Sequence, residues 1–335
     1  MNIPPDLLPT GPLATGLLAA WALLALWWLL ALERRRAPDA SRWPGHLYPF
    51  LPLVAVGLWS LSAAWPPALQ RFVCVALLMA LWMWGLLTAV WLLGTVLRNH
   101  SLMDIAYPLA PWAALVAAWL ALGADRSAHT LLLLGCATVW SWRLSGYLAM
   151  RYLPHGEEAR YAKWRQRGGD SWWWWSYFQI YTTQGVIVWI WTWPMALALG
   201  TSGPLSVWAW LGLAACAVGF VFEAGGDLQM HRFRTNPAMK GRVMDQGLWA
   251  WCRHPNYFGE AMTWLGFGLF ALAAPWGWLG LPSVLMVFWF MNRGSALSMT
   301  ERYMVKTKPG YADYMARTPA FFPRPPAARR TPPQA

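Results

Sequence analysis

The stretch Gln70–Leu97 reads QRFVCVALLMALWMWGLLTAVWLLGTVL, with no charge between Arg71 and Arg98. A membrane-spanning helix needs roughly 20 mostly apolar residues, and this run exceeds that. Working outward, further apolar runs lie near 12–32, 47–65, 105–122, 130–149, 177–199, 205–225, 258–274 and 276–292. Backbone groups in lipid must be satisfied internally, so each run is expected to be a helix. The expected fold is therefore an all-α polytopic transmembrane bundle of about nine spans. The last two runs are separated only by Ala273-Ala274-Pro275 and could instead form one kinked re-entrant unit. Pro194, Pro275 and Pro282 mark ends or kinks.

Composition agrees. Of 335 residues, 58% are hydrophobic and 12% charged, against about a quarter charged in soluble domains. The 29 Trp suit packing and interfacial belts. A net charge of +12 would suggest nucleic acid if it formed a soluble basic face. Instead the Lys and Arg sit between apolar runs, so no nucleic-acid partner is expected. Arg34, Arg35, Arg36 and Arg42 follow the first run, and Arg98 follows the third. Arg151, Arg160, Lys163, Arg165 and Arg167 follow the fifth. Arg232, Arg234, Lys240, Arg242 and Arg253 follow the seventh, and Arg293 through Arg330 follow the ninth. If nine spans alternate, all of these share one side, and the other side keeps only Arg71 and Arg126. The positive-inside rule then places the N-terminus outside and the C-terminus in the cytoplasm, as in an integral protein of a bacterial inner membrane.

No Lys or Arg precedes Arg34, so the basic flank of a signal peptide is lacking and 13–32 is expected to be a retained span. Cys74, Cys136, Cys216 and Cys252 have neither redox nor metal spacing, and no metal site is expected. The polar stretch 154–171 suits an interfacial helix on anionic lipid headgroups. His46, His100, His129 and His155 read as loop or interface residues.

Chemistry concentrates in EAGGDLQMHRFRTNPAMKGRVMDQGLWAWCRHPNYFGE, residues 223–260. Glu223 and Asp227 are one helical turn apart and share a face. Acids at the end of a span are costly without a partner, and mark function. Asn256 and Glu260 repeat this spacing at the start of the eighth run. Carboxylates and amides suit ribose and amide groups, while Arg234, Lys240, Arg242 and Arg253 suit phosphates. Orientation alone would explain the cations but does not call for the acids and amide. Neither a Rossmann nor a P-loop pattern is present.

This stretch resembles the C-terminal domain of the steroid 5-alpha-reductase-like membrane proteins, in particular a bacterial branch known as a domain of unknown function. That branch carries GDxQxxRFxxxPxxKGxVxDxGLWxxxRHPNYFGE, matched here from Gly226 and Asp227 through Arg253–Glu260. The resemblance extends to Gly156-Glu157, Arg160-Tyr161, Lys163-Trp164, Arg165, Phe178-Gln179 and Gln184-Gly185 upstream. Downstream it takes in Glu301, Pro309-Gly310-Tyr311, Tyr314, Thr318 and Phe322-Pro323. It divides the chain into an extra N-terminal pair of transmembrane helices (1–68), a reductase-like membrane domain (69–325) and a disordered tail (326–335).

The resemblance implies an NADPH-dependent reductase that saturates a carbon–carbon double bond conjugated to a carbonyl in a steroid- or lipid-like substrate drawn from the bilayer. It implies cofactor-binding roles for Glu223, Asp227, Arg234, Arg242 and Asn256, and places His254, Tyr257 and Glu260 in the shared run; Lys240 and Arg253 join them by charge. Conjugate reduction also needs a donor to polarise the carbonyl and a proton for the α-carbon. Asp104 and Tyr107, three apart at the start of the fourth run, are the candidates, with Arg143 in the fifth run a possible partner. A helix cap for Asp104 and an interfacial aromatic for Tyr107 are the plain alternatives. This chain has Asp104-Ile105-Ala106-Tyr107-Pro108 where the branch often has Asp-x-x-Trp-Gly, so the substrate half departs more than the cofactor half.

Two other functions compete. Isoprenylcysteine carboxyl and phospholipid methyltransferases share an RHPxY run and a later Glu, compare Arg253–Tyr257 and Glu301, but would use S-adenosylmethionine, which has no phosphate. The run with Asp227, Arg234 and Arg242, and Asn at 256, favours NADPH. A non-catalytic lipid- or sterol-binding protein would be expected to lose these residues.

Overall fold

A computed structural model describes residues 65–293 and 295–326, the backbone alone for 295–300, and isolated positions before residue 65. Most of the expected spans at 12–32 and 47–65, and the tail from 327, lie outside the described residues. The described residues are helical and contain no strand. The chain divides into two compact units, 1–205 with 271–280, and 206–270 with 281–335.

In the first unit the run that opened the sequence is one helix, α1 (Pro67–Val96), with proline in its first turn. Proline is tolerated there because the first amides have no intrahelical acceptor. A second apolar stretch forms α2 (Leu102–Ala106) and α3 (Leu109–Ala121), parted at Tyr107-Pro108. Next comes α4 (Ala128–Tyr152), whose first turn is capped by Ser127, its Oγ accepting from the Thr130 amide. Helix α1 packs on α3, and α4 packs on α2 and α3. Cys74, Val75, Met79, Met83 and Leu87 of α1 are buried, as are Ala110, Ala114, Leu115 and Ala118 of α3. The 3–4-residue spacing of both sets puts each on one helix face. The opposite side of α1 exposes Leu81, Trp82, Leu92, Leu93 and Val96. In water such a surface would be costly; against lipid it is not.

The polar stretch becomes α5 (Ala159–Gly168), followed by α6 (Trp172–Ser176), a π-helical turn (Tyr177–Thr182), α7 (Thr183–Trp191) and α8 (Trp193–Ala198). The run expected as one span at 177–199 is thus interrupted at its π turn and again before Pro194. The buried Trp189 indole donates to the Ala76 carbonyl at 2.7 Å, tying α7 to α1.

The second unit is built on α9 (Val207–Thr235), with α10 (Leu248–Trp251), α11 (Pro255–Ala271), α12 (Leu281–Arg293), α13 (Ser295–Thr307) and α14 (Tyr311–Arg317). Glycines let α9 and α11 approach backbone to backbone. A Cβ on Gly219 would meet the Gly259 carbonyl and Thr263, and one on Gly259 would meet the Glu223 backbone. Small residues at such a crossing are the usual route to close packing of membrane helices. The outward side of α9 exposes Val207, Trp210, Leu211, Val218 and Val221.

Among the described residues, three helical stretches are long and apolar enough to cross a membrane: Pro67–Val96, Leu102–Ala121 and Val207–Thr235. The stretch 258–292 holds two helices, α11 and α12. A short 3-10 turn at Gly277–Gly280 leads into α12.

Candidate functional site

In the second unit the close crossing sets the site. The second half of α9 carries Glu223 (2% exposed) and Asp227 (6%), both buried toward α11. Opposite them α11 begins at Pro255, so Asn256 and Glu260 fall one turn apart on it. The Asn256 amide nitrogen lies 3.4 Å from an Asp227 carboxylate oxygen. Gly226 sits against Pro255 and the Asn256 amide, so no larger residue fits without a shift. Glu260 is buried on the same helix. Among the described residues, no three of His, Cys, Asp and Glu gather closely enough to hold a metal ion. These side chains are oxygen acceptors suited to hydroxyl and N–H donors.

Beyond Asp227, the face of α9 leads to Arg234, two turns on. Arg232, Arg234, Lys240 and Arg242 are all exposed. Arg232, Lys240 and Arg242 form no ion pair with the described residues. The loop carrying Lys240 and Arg242 folds back on α9: the Leu248 amide donates to the Gln229 side chain at 2.9 Å, and the Trp249 indole donates to the Gly226 carbonyl at 3.0 Å. Gly247, at φ +57, sits hard against Gln229, where a side chain would be strained and crowded.

Arg253 and His254 are held differently. Arg253 is buried; its Nε donates to a Glu301 oxygen at 2.8 Å, and its Nη1 to the carbonyls of Met315 and Thr318. The Arg253 amide donates to the Pro319 carbonyl. Much of the fork expected to bind phosphate is thus engaged with the C-terminal segment. His254 Nε2 lies 3.0 Å from the same Glu301 oxygen, and its ring stacks on Tyr257 with 5.5 Å between centroids. Burial disfavours ionised Glu301, but the hydrogen bonds from His254 and Arg253 and the Arg253 charge outweigh it, and its carboxyl is held down at about 2. Burial pushes the Cys252 thiol up to about 12, so it stays protonated. Tyr314 donates to the Trp249 carbonyl at 2.6 Å, and Arg317 pairs with Asp245. Phe258 and Phe288 pack against Phe321 and Phe322.

Asp104 and Tyr107 belong to the first unit. Asp104 accepts from the Tyr161 hydroxyl at 2.6 Å and from Arg160 at 2.9 Å. Tyr107 meets the Trp140 ring edge to face. Spacing alone does not foresee the network around Asp104. Glu157 takes two bonds from Arg165, at 2.6 and 3.0 Å, and one from the His100 amide at 2.9 Å. His100 Nδ1 lies 3.0 Å from the Tyr181 hydroxyl, and both side chains are fully buried. Burial, with the Arg165 charge, lowers His100 to about 4 against the opposing pull of Glu157, so the ring is neutral. Burial and the adjacent Asp104 carry Tyr161 well above the ordinary phenol range, making it a permanent donor. The sequence offered one signal for this network: two acids, Glu157 and Glu158, followed by Arg160, Lys163 and Arg165, a pattern that also suits a lipid-facing helix. On α5, Lys163 and Arg167 face outward while Tyr161 is buried.

Both clusters fall inside one family match. The profile described as a protein of unknown function, DUF1295, matches residues 90–318. A Schizosaccharomyces pombe protein described as uncharacterized is 27% identical over 276 residues, covering 72% of this chain and 76% of that protein. The cobalt-zinc-cadmium resistance protein CzcN of Cupriavidus metallidurans is 29% identical over 82 residues, 24% of this chain and 36% of that protein.

Proposed function

Because the chain belongs to the DUF1295 family of proteins of unknown function, we propose its activity from the site itself: an NADPH-dependent membrane reductase that saturates a carbon–carbon double bond conjugated to a carbonyl in a hydrophobic, steroid- or lipid-like substrate. The observation that carries this reading is the gradient along one face of α9. Buried Glu223 and Asp227, with Asn256 opposite, give way to exposed Arg234 and, on the loop that follows, to Lys240 and Arg242, which form no ion pair with the described residues. A dinucleotide phosphate has both matching parts: ribose hydroxyls and amides for the acceptors, and several phosphates for the cations. Glu260 and Tyr257 extend the acceptor side, and His254 adds a ring nitrogen.

NADPH, when bound, supplies the hydride. The chain has to hold the dinucleotide, polarise the carbonyl, stabilise the enolate charge that follows and deliver a proton. Asp104 and Tyr107 of the first unit are proposed for the carbonyl end, with Tyr161 donating its hydroxyl hydrogen to Asp104 and so holding that carboxylate in place. We place the protein in a bacterial inner membrane with about nine spans, N-terminus outside, C-terminus and cofactor site cytoplasmic. Residues 1–68 then add a pair of helices to a catalytic domain over 69–325. Substrate comes from the bilayer, and Lys163 and Arg167 contact anionic headgroups.

Cofactor binding to detergent-purified protein tests the reading. Saturable NADPH binding is expected, weakened about tenfold in Arg234→Ala and in Asn256→Ala, the loss of roughly one charge-assisted bond each. Binding of S-adenosylmethionine with no response to NADPH would replace the reductase by a membrane methyltransferase. Binding of neither, with lipid or sterol retained, would leave a non-catalytic lipid-binding protein.

A further inference from the structure

The 253–260 turn holds a histidine whose two ring nitrogens have different surroundings. Nε2 of His254 faces a Glu301 oxygen at 3.0 Å. Nδ1 bonds to none of the described residues, yet it is not sealed off among the buried polar atoms. His254 is 6% exposed, and its ring is fixed from one side by its near-parallel stack on Tyr257, 18° between planes. A carboxylate can only accept, so its partner nitrogen must carry the hydrogen. In the neutral ring the other nitrogen is then an acceptor. Glu301 is far away in sequence, on α13, and also receives Arg253 Nε at 2.8 Å on the same oxygen. The carboxylate thus stays ionised and fixed in place.

We propose that Glu301 is a positioning residue: by holding the hydrogen of His254 on Nε2, it makes Nδ1 the acceptor that this turn offers to a ligand hydroxyl or amide N–H. On the reductase reading, which this inference deepens, that donor belongs to the dinucleotide, a ribose hydroxyl or the nicotinamide carboxamide. Asp227, Glu223 and Glu260 already make this half of the site acceptor-rich, and a histidine held in the opposite tautomer would put a competing donor there. Glu301 works through His254, as a carboxylate orients a histidine that binds through its other nitrogen.

Nitrogen NMR of histidine-labelled protein in detergent tests this, with His254→Gln assigning the resonance. In the native protein Nε2 is expected to carry the hydrogen, and Nδ1 to show the shift of a bare nitrogen. Glu301→Leu keeps an apolar stem but removes the acceptor, and is expected to give a mixture of tautomers and about tenfold weaker NADPH binding. Glu301→Gln, which can still accept at the shared oxygen, is expected to keep the native tautomer. A native His254 with its hydrogen on Nδ1 overturns the proposal without need of any variant. So does Glu301→Leu with an unchanged His254 signal, because Glu301 would then serve only the Arg253 contact. The nitrogen signals do not depend on cofactor, so a protein that binds no NADPH would count against the reductase reading alone.

Discussion

Arg234 and Arg253 lie in the same basic stretch, yet burial separates what they do. Arg253 is buried on Glu301 and on carbonyls 62 and 65 residues away, so removing it leaves a half-buried carboxylate with only His254 beside it and strands two carbonyls. Arg253→Ala is expected to cost about 3–5 kcal/mol of stability, the usual range for breaking a buried pair. Arg234 is exposed, and Arg234→Ala is expected to stay within about 0.5 kcal/mol of the parent while weakening NADPH binding. Thermal unfolding in detergent, followed by tryptophan fluorescence, separates the two; equal losses would undo the distinction. Spacing made the shared face of Glu223 and Asp227 legible. The role of Arg253 was not, since its partners are set by long-range folding that charge and spacing do not encode. His100 supplies the pH dependence. Its folded value of about 4 lies below the ordinary 6.5, so its contribution is complete above pH 6.5 and drains away as pH falls toward 4. The loss approaches about 3 kcal/mol, at about 1.4 kcal/mol per unit. In His100→Asn that part of the pH profile should flatten; an unchanged slope from pH 7 to 4.5 would show that another group carries it.

At the scale of elements, the crossing of α9 and α11 turns hydropathy into a site. Apolar run length revealed α1 and α9 directly, because a long uninterrupted stretch admits little but a helix in lipid. It was silent on the π turn at Tyr177–Thr182 and on how closely α9 and α11 approach, since both depend on what packs against the run. Only the glycines hinted at the approach. Gly259 has the Glu223 backbone against it, where nothing flexible can yield. Gly259→Val is therefore expected to cost at least about 1–3 kcal/mol by overpacking and to weaken ligand binding, because it pushes Glu223 away from Asn256 and Glu260. Gly85, in the middle of α1, has no atom within 4 Å of its would-be Cβ. Gly85→Ala should be neutral or stabilising by up to about 1 kcal/mol through helix propensity. Comparing their unfolding midpoints in one detergent checks the pair; a Gly259→Val protein as stable as Gly85→Ala would show that the approach is loose.

Over the whole molecule, the proposed orientation makes a parity argument that can be tested without reference to the termini. The polar stretch with α5 and the cationic loop after α9 are separated by two apolar runs, 177–199 and 205–225. Two crossings return the chain to its starting side, so Lys163 and Lys240 must share a face of the membrane, and Ser202 between the runs must lie on the other. All three positions are exposed. The interruptions at the π turn and at Pro194 give this force: if 177–199 dips in and out instead of crossing, Ser202 joins Lys163 and Lys240 falls on the opposite face. The charge pattern favours crossing, since 200–206 carries no Lys or Arg while both flanking loops are rich in them. Single cysteines at 163, 202 and 240, with the four native cysteines replaced, would be probed in intact cells by a membrane-impermeant maleimide. Position 202 should label at once, and 163 and 240 only after permeabilisation. Labelling of 202 together with 163 and 240 would reduce the two runs to a re-entrant pair. Labelling of 240 alone from outside would move the cations after α9 away from the compartment that supplies NADPH, and the reductase reading would fail with them.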